Sequence, residues 1–111
     1  MKRSMNLLPQ VSFSILLALS LRPRHGYEIM QQVTEDSLGK IKLGPGSLYT
    51  TIKQLTEDGL IEEVPGEEAR RRYYRLTEKG RKRLNAEIEY FHNAVELARR
   101  RQVLDVGLGV I

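Results

Sequence analysis

The chain has 111 residues, a net charge of +4 at pH 7 and no cysteine. Its length fits one domain, and a core this small removes only about 60 to 65% of the unfolded surface from water, so stabilisation by a partner is expected. The absence of cysteine excludes a disulfide scaffold and thiolate metal sites. Because His25 and His92 lie far apart in the sequence, they form no metal-ligand motif, and we expect no metal or other cofactor.

Residues 11–21 form an apolar run near the start of the chain. Pro9 and the early Arg22 and Arg24 argue against a secretory signal, and the run is too short to span a bilayer. We therefore expect a cytoplasmic protein without a membrane segment. The run predicts a first helix that is apolar on nearly every side, and such a helix must be covered on more than one face.

A second helix is predicted over residues 26–37, with Gly39 as the glycine that stops it. Beyond that glycine, Ile41 and Leu43 alternate with two lysines. Alternation of this kind predicts a short edge strand over residues 41–43.

A third helix, predicted over residues 45–58, is the most informative element. Pro45 suits the first turn of a helix, and Gly59 suits the position just past its end. Leu48, Ile52 and Leu55 share one stripe, which predicts the buried face. The opposite face is short and polar, as a helix that enters a DNA groove requires. The predicted DNA-contacting residues of this helix are Ser47, Tyr49, Thr50, Lys53 and Gln54.

Residues 60–64 and 71–76 are predicted strands, joined by a turn at residues 65–69. Three helices followed by this hairpin predict a mainly α (α+β) winged helix-turn-helix. In such a fold the third helix enters the major groove, and we expect the hairpin, or wing, to lie along the DNA backbone. We expect the DNA-binding domain to span residues 1–76, and a dimerisation helix with a tail to span residues 77–111.

Positive charge is concentrated after the turn of this hairpin. Between Arg70 and Arg83 there are eight lysines and arginines and one acid, Glu78, so this segment carries +7 and the remainder −3. A local positive field of this kind indicates a bound polyanion. Arg70, Arg71 and Arg72 are therefore predicted to contact DNA phosphates; the alternative is that they protect a solvated strand edge.

The last helix is predicted to begin after Thr77, which can act as its N-cap, and to run to about residue 102. At 1.5 Å per residue this helix is about 39 Å long, which is longer than the winged-helix domain that precedes it. An apolar heptad stripe runs along it and predicts contact with a second chain. The stripe consists of Leu84, Ile88, Phe91, Val95 and Ala98. Residues 103–111 show no pattern that predicts a structure.

Two side chains have more than one interpretation. Tyr49 either stacks or hydrogen-bonds at DNA, or it packs its ring on the rim of the core. For His25 a helix cap or a packed side chain is favoured over a metal ligand or a base. No nucleophile, base and orienting group occur together, so an enzyme is not expected.

Three segments of the chain together resemble the PadR family of bacterial transcriptional regulators. They are H-G-Y-E-I at residues 25–29, P-G-S-L-Y at 45–49 with L-T-E-D-G-L-I at 55–61, and R-Y-Y-R-L-T-E-K-G-R at 72–81. The resemblance implies a winged-helix repressor that forms a homodimer through its first and last helices and binds an inverted-repeat operator. The dimer interface would then include Phe13 and Leu16 of the first helix. The single long C-terminal helix matches the short form of the family.

The same resemblance bears on an effector. Some short members are similar to drug-binding regulators with a tryptophan-lined pocket at the dimer interface, and this chain has no tryptophan. We expect an apolar small molecule between the first and last helices, where Phe13, Tyr90 and Phe91 could line a pocket. The alternative function is a winged-helix adaptor that binds proteins and has no specific DNA binding. A salt-dependent shift of duplex DNA would separate the two hypotheses.

Overall fold

The computed structural model describes residues 6–103 of the chain. Its helices are α1 (Gln10–Ala18), α2 (Gly26–Asp36), α3 (Pro45–Glu57) and α4 (Glu78–Arg100), and its strands are β1 (Arg24–His25), β2 (Ile61–Val64) and β3 (Tyr73–Leu76). The strands form one antiparallel sheet in the order β1-β3-β2. The predicted class, a mainly helical winged helix-turn-helix, is confirmed. The predictions for residues 104–111 of the tail lie outside the described residues.

One hydrophobic core joins all four helices to the sheet. Its fully buried side chains include Ile15 and Leu16 of α1, Ile29 of α2 and Leu48 of α3. Leu84 of α4 belongs to the same cluster. The expected domain boundary at residue 77 therefore lies inside this core, because the first turns of α4 are packed into it. We call residues 6–87 the head.

The third strand of the sheet is not where the sequence predicts it. Residues 41–43 form no strand, and β1 instead pairs with β3, with His25 opposite Tyr73. Residues 37–44 connect α2 to α3, and the connection begins with a turn in which Leu38 and Gly39 have φ angles of 56° and 81°. The hydroxyl of Ser37 accepts the Ile41 N–H at 2.9 Å. The apolar and polar alternation therefore marks a packed connection with Leu43 buried, and the predicted edge strand is wrong.

The first helix ends earlier than the apolar run suggests. It stops at Ala18 because the Ser20 hydroxyl donates to the carbonyl of Leu17 at 2.7 Å, and the Arg24 side chain donates to the carbonyl of Ala18 at 2.7 Å. These bonds satisfy carbonyl groups that a helix leaves without partners at its end. The chain then turns into β1, which leaves Leu21 exposed.

A buried carboxylate holds the segment that precedes α1 against α4. Glu87 is almost fully buried, and its Oε1 accepts the backbone N–H of Leu8 at 3.0 Å. Its Oε2 lies 3.4 Å from Nε of Arg83, which also donates to the carbonyl of Asn6 at 2.7 Å. A buried carboxylate is stable when hydrogen bonds and a partner charge surround it. No sequence pattern marks Glu87, because its partners in the N-terminal segment are almost 80 positions away.

Within residues 6–103, no helix combines the length and the hydropathy that crossing a membrane requires.

Candidate nucleic-acid interface

Helix α3 begins and ends within one residue of the prediction and shows the predicted faces. Leu48, Ile52 and Leu55 are buried in the head. The outward side chains are exposed, namely Ser47, Tyr49, Thr50, Lys53 and Gln54. Gly44 is the N-cap residue and provides no side-chain cap, so the first backbone N–H groups of α3 have no side-chain acceptor at the cap. A helix N-terminus with such N–H groups favours negatively charged ligands.

Tyr49 combines features of both interpretations that its position allows. Its hydroxyl packs against the start of α2, where a Cβ atom on Gly26 would lie 2.5 Å from the Tyr49 oxygen. The glycine therefore leaves the space that the ring occupies. Tyr49 is still 52% exposed.

The three wing arginines do not behave alike. Arg71 is bound within the protein, because its Nε donates to Oε1 of Glu68 at 3.1 Å and its Nη1 lies 3.2 Å from Nδ1 of His25. All three arginines are nevertheless exposed, and the side chain of Arg71 has 44% of its surface exposed. Through His25, Arg71 ties the wing to the start of α2, and its predicted contact with phosphate stays a prediction.

His25 is the helix cap that the sequence favours. Its Nδ1 accepts the N–H of Glu28 at 3.3 Å, and the Glu28 carboxylate accepts the N–H of His25 at 3.1 Å. This reciprocal pair is a capping box at the N-terminus of α2. Burial alone raises the pKa of Glu28, but hydrogen bonds from Arg22 and from the His25 N–H outweigh it and hold the pKa below its usual value of 4.5.

A cleft of about 560 Å³ joins the wing to the start of α3. Its lining comes from the start of α2, the start of α3 and the loop before β3, and it consists of His25, Gly26, Tyr27, Met30, Pro45, Tyr49, Arg70, Arg71 and Arg72. The fold thus brings Tyr49 and the three arginines together, while Thr50, Lys53 and Gln54 lie further along the exposed face of α3. Tyr27 also lines this cleft; it belongs to the H-G-Y-E-I segment but was not predicted as a site residue.

The base of the wing is fixed by Tyr74 in β3. Its ring is buried, and burial raises the pKa of its phenol, as does the charge of Glu63, whereas the Arg72 guanidinium acts in the opposite direction. Arg72 therefore lies close to a buried and uncharged phenol. The buried ring of Tyr74 thus lies in β3, close to the exposed side chain of Arg72.

Most of the other basic side chains of residues 70–83 donate hydrogen bonds to oxygen atoms of the chain itself. Arg75 donates to Glu62 at 2.8 Å, and the side chains of Lys79, Arg81 and Arg83 donate to backbone carbonyl groups at 2.8, 3.3 and 2.7 Å. Net charge therefore overestimates the phosphate-binding surface. The predicted phosphate contacts of Arg70, Arg71 and Arg72 stay predictions.

The predicted dimer residues separate into two groups. Leu16 and Leu84 are 0% and 4% exposed, so the head itself covers them and they offer no free surface to a second chain. Ile88, Phe91 and Val95 lie further along the stripe and are 41%, 43% and 38% exposed. Ala98 is only partly buried.

Helices α1 and α4 meet at two phenylalanine rings. The centroids of Phe13 and Phe91 are 5.3 Å apart with the rings edge to face, and Tyr90 contacts Phe91 in the same way at 5.5 Å. Beside them is a mainly apolar cleft of about 480 Å³, lined by Leu8, Gln10, Phe13, Ser14, Leu17, Val33, Asp36, Ser37, Ile41 and Phe91. Phe13 and Phe91 line this cleft and Tyr90 does not, and the predicted effector pocket at a dimer interface stays a prediction.

Comparison with protein families gives one decisive match. Residues 15–86 match the model of the transcriptional regulator PadR-like family. The chain belongs to this family of transcriptional regulators. The predicted resemblance is thus confirmed over most of the winged helix. A search of curated proteins found no match.

Solved structures of transcriptional regulators share the fold. A transcriptional regulator from Clostridium thermocellum is 28% identical, with a TM-score of 0.69 over 81% of this chain and 87% of that one. A PadR family regulator from Clostridium difficile is 22% identical, with a TM-score of 0.72 over 85% of this chain and 99% of that one. Bacillus subtilis PadR, solved in complex with operator DNA, is 22% identical, with a TM-score of 0.64 over 72% of this chain and 47% of that one.

Proposed function

We propose that the protein is a sequence-specific DNA-binding repressor that binds an inverted-repeat operator as a homodimer. The observation that carries the proposal is the exposed polar face of α3 beside the arginine-lined cleft. A helix of this shape fits the major groove, and basic side chains next to it neutralise backbone phosphates. Bacillus subtilis PadR, which has the same fold, was solved with operator DNA bound. A regulator of this kind acts where the chromosome is, so we expect it in the cytoplasm.

The two parts of this surface have different roles in the proposal. The side chains of α3 lie at base edges or nearby phosphates, and they are Ser47, Tyr49, Thr50, Lys53 and Gln54. Arg70 and Arg72 contact phosphates on the backbone. Arg71 contributes by holding the wing to the cap of α2 through Glu68 and His25.

The dimer interface in the proposal uses the exposed part of the heptad stripe, Ile88, Phe91, Val95 and Ala98, together with Phe13 of α1. Exposed apolar side chains that repeat along a helix favour packing against a second helix of the same kind. A two-fold dimer presents two α3 helices to two half-sites, which requires an inverted repeat in the operator. Repression is then steric, because the bound dimer blocks the DNA.

An apolar effector is the second part of the proposal. The cleft beside Phe13 and Phe91 is lined by residues from α1, α2 and α4, and its volume suits a small molecule. A ligand there would favour a different angle of α4 relative to the head. Because the two α4 helices join the protomers, that change alters the distance between the two α3 helices and lowers operator affinity.

The alternative proposal is a winged-helix adaptor that binds proteins through the wing. An adaptor has no reason to bind duplex DNA in a salt-dependent way, whereas a repressor loses affinity steeply as salt rises. The first experiment selects bound sequences from a random duplex pool and measures a mobility shift at several salt concentrations. Enrichment of an inverted repeat together with a salt-dependent shift supports the repressor, and the absence of both supports the adaptor.

Single substitutions then test the roles of α3 and the wing. Ala substitutions at Thr50, Lys53 or Gln54 should cost about 1 to 3 kcal/mol where the side chain touches a base, and should relax preference at particular positions. Arg70→Ala or Arg72→Ala should weaken all sequences alike and lower the salt slope by about 0.9 for each DNA phosphate that each subunit no longer neutralises. If the arginine variants alter sequence preference and the α3 variants do not, the two roles are reversed.

A further inference from the structure

Three consecutive carbonyl groups just past the end of α3 are bound by the first residues of α4. The carbonyl of Asp58 accepts Nζ of Lys79 at 2.8 Å, and that of Gly59 accepts the hydroxyl of Thr77 at 2.6 Å. The carbonyl of Leu60 accepts the backbone N–H of Thr77 at 3.1 Å. The end of one helix and the start of the next thus share a set of hydrogen bonds, which we call the α3–α4 joint.

The local ending of α3 explains why these carbonyl groups need partners from elsewhere. Gly59 has a φ of 76°, and its N–H donates to the carbonyl of Thr56 at 3.0 Å, while the N–H of Leu60 donates to that of Leu55 at 2.9 Å. This is the glycine-based Schellman ending of a helix, which satisfies carbonyl groups of the last turn. The carbonyl groups of residues 58–60 lie beyond that pattern, and α4 supplies their donors.

Two further features make the joint tight. The hydroxyl of Thr77 also accepts the N–H of Gly80 at 3.0 Å, so a single side chain caps α4 and binds the turn after α3. A Cβ atom on Gly80 would overlap the carbonyl oxygen of Leu60, so the two backbones are in direct contact. The ammonium group of Lys79 lies at the C-terminal end of α3, where the helix dipole favours a positive charge.

From this arrangement we infer that Lys79 and Thr77 are positioning residues, which hold α3 and α4 together as one rigid unit and set the angle at which α3 meets DNA. The inference rests on the proposed DNA-binding function. Lys79 lies in the basic segment, and its charge alone would suggest a phosphate contact. Its bond to Asp58 gives it a different role, in which it acts on DNA through the orientation of α3. The joint also carries any movement of α4 to α3.

Substitution of Lys79 separates positioning from phosphate binding. Lys79→Met keeps the apolar stem and removes the ammonium group. Lys82→Met is the matched control, because it removes the same charge from an exposed residue in the same part of α4. Arg72→Ala is the reference for a side chain that binds phosphate. Affinity for the selected operator and for a scrambled duplex is measured for each variant at several salt concentrations.

Lys79→Met should lower operator affinity about threefold to tenfold relative to Lys82→Met, the size of one net hydrogen bond. It should leave the salt slope equal to that of the control, and Lys79→Arg should restore most of the affinity. Arg72→Ala should instead lower the slope by about 1.8 for a dimer in which each subunit neutralises one phosphate fewer. Equal affinities of Lys79→Met and Lys82→Met, or a slope for Lys79→Met as low as that of Arg72→Ala, would overturn the inference.

A second measurement tests the joint without DNA. The chain has no cysteine, so cysteines introduced at Thr50 and Glu89 direct spin labels to α3 and α4 alone. Labelled chain is mixed with an excess of unlabelled chain, and the distance distribution within one protomer is measured. Lys79→Met should broaden this distribution and Lys82→Met should not. Equal widths in the two variants overturn the joint, whereas failure of the wild type to bind any duplex would refute the proposed function and leave this result unaffected.

Discussion

The two halves of α4 differ in what surrounds them. In residues 78–87, Leu84 is in the core of the head, Glu87 is buried, and Lys79 and Arg83 bind oxygen atoms of the chain. We call residues 88–100 the projecting half of α4. Apolar side chains of the same stripe are exposed there, beginning with Ile88, which follows Leu84 by only one turn.

This difference shows that one continuous heptad pattern has two roles. The periodicity predicts one packing face along α4, and the structure confirms it for Leu84, which is in the core of the head. For the exposed side chains beyond residue 87, packing against a second chain stays a prediction. The periodicity does not identify the residue at which the head ends and the surface for a second chain begins. The position of that residue depends on how far the head extends along α4. Phe91 lies at this border, because its ring contacts Phe13 of α1.

The largest expected difference between the two halves concerns stability. Leu84→Ala leaves a cavity in the core and should lower the free energy of unfolding by about 2 to 5 kcal/mol. At a protein concentration low enough to exclude the dimer, Val95→Ala removes partly exposed methyl groups and should cost about 1 kcal/mol or less. Urea unfolding of both variants at one protein concentration measures the difference. Equal losses of stability would contradict the assignment of Leu84 to the head and Val95 to the projecting half.

A smaller effect is expected at the buried carboxylate. Glu87→Ala leaves the Leu8 N–H without its acceptor and Arg83 without its charged partner, so it should cost about 1 to 3 kcal/mol. Glu89→Ala, at an exposed position of the next half turn, should change stability by about 0.5 kcal/mol or less. Thermal unfolding and amide exchange at Leu8 measure both. If the Leu8 amide is equally protected in the two variants, Glu87 does not hold the N-terminal segment.

The smallest expected effect is a dependence of the stability on pH, which comes from Glu28 in the head. The pKa of Glu28 is lowered in the folded state, so its charge stabilises the fold above pH 4.5 and the contribution is lost as the pH falls through the lowered pKa. The partly exposed pair with Arg22 should contribute about 1 kcal/mol or less. Glu28→Gln keeps a side-chain acceptor for the capping box and removes the charge.

Unfolding of wild type and Glu28→Gln from pH 7 to pH 3 measures this contribution. The difference in stability between them should be largest near neutral pH and should shrink below pH 4.5. A difference between the two proteins that stays constant from pH 7 to pH 3 would contradict this contribution of the Glu28 charge.

The parts of the fold that could be predicted are those fixed by local chemistry. Pro45 and Gly59 place the ends of α3 because each suits one position of a helix whatever surrounds it, and Thr77 places the start of α4 in the same way. The stripe that begins with Leu48 then determines which side of α3 is exposed. These local rules explain why the predicted DNA-contacting side chains of α3 are on its outer face.

The parts that could not be predicted depend on contacts between distant residues. Strand β1 has only two residues and exists because His25 pairs with Tyr73, so no local pattern marks it. Arg71 and His25 are 46 positions apart, and only the fold brings the guanidinium to the ring. The sequence shows that Lys79 carries a positive charge. That its ammonium group binds the carbonyl oxygen of Asp58 is known only from the folded structure.

Sedimentation of the wild type at micromolar concentration tests the division of α4 most directly. The exposed stripe of the projecting half predicts a particle of twice the 12.8 kDa mass of one chain. Ile88→Asp, which places a charge in that stripe outside the core of the head, should give a folded monomer. A wild type that sediments as a monomer at this concentration would contradict the proposal that a second copy covers the projecting half of α4.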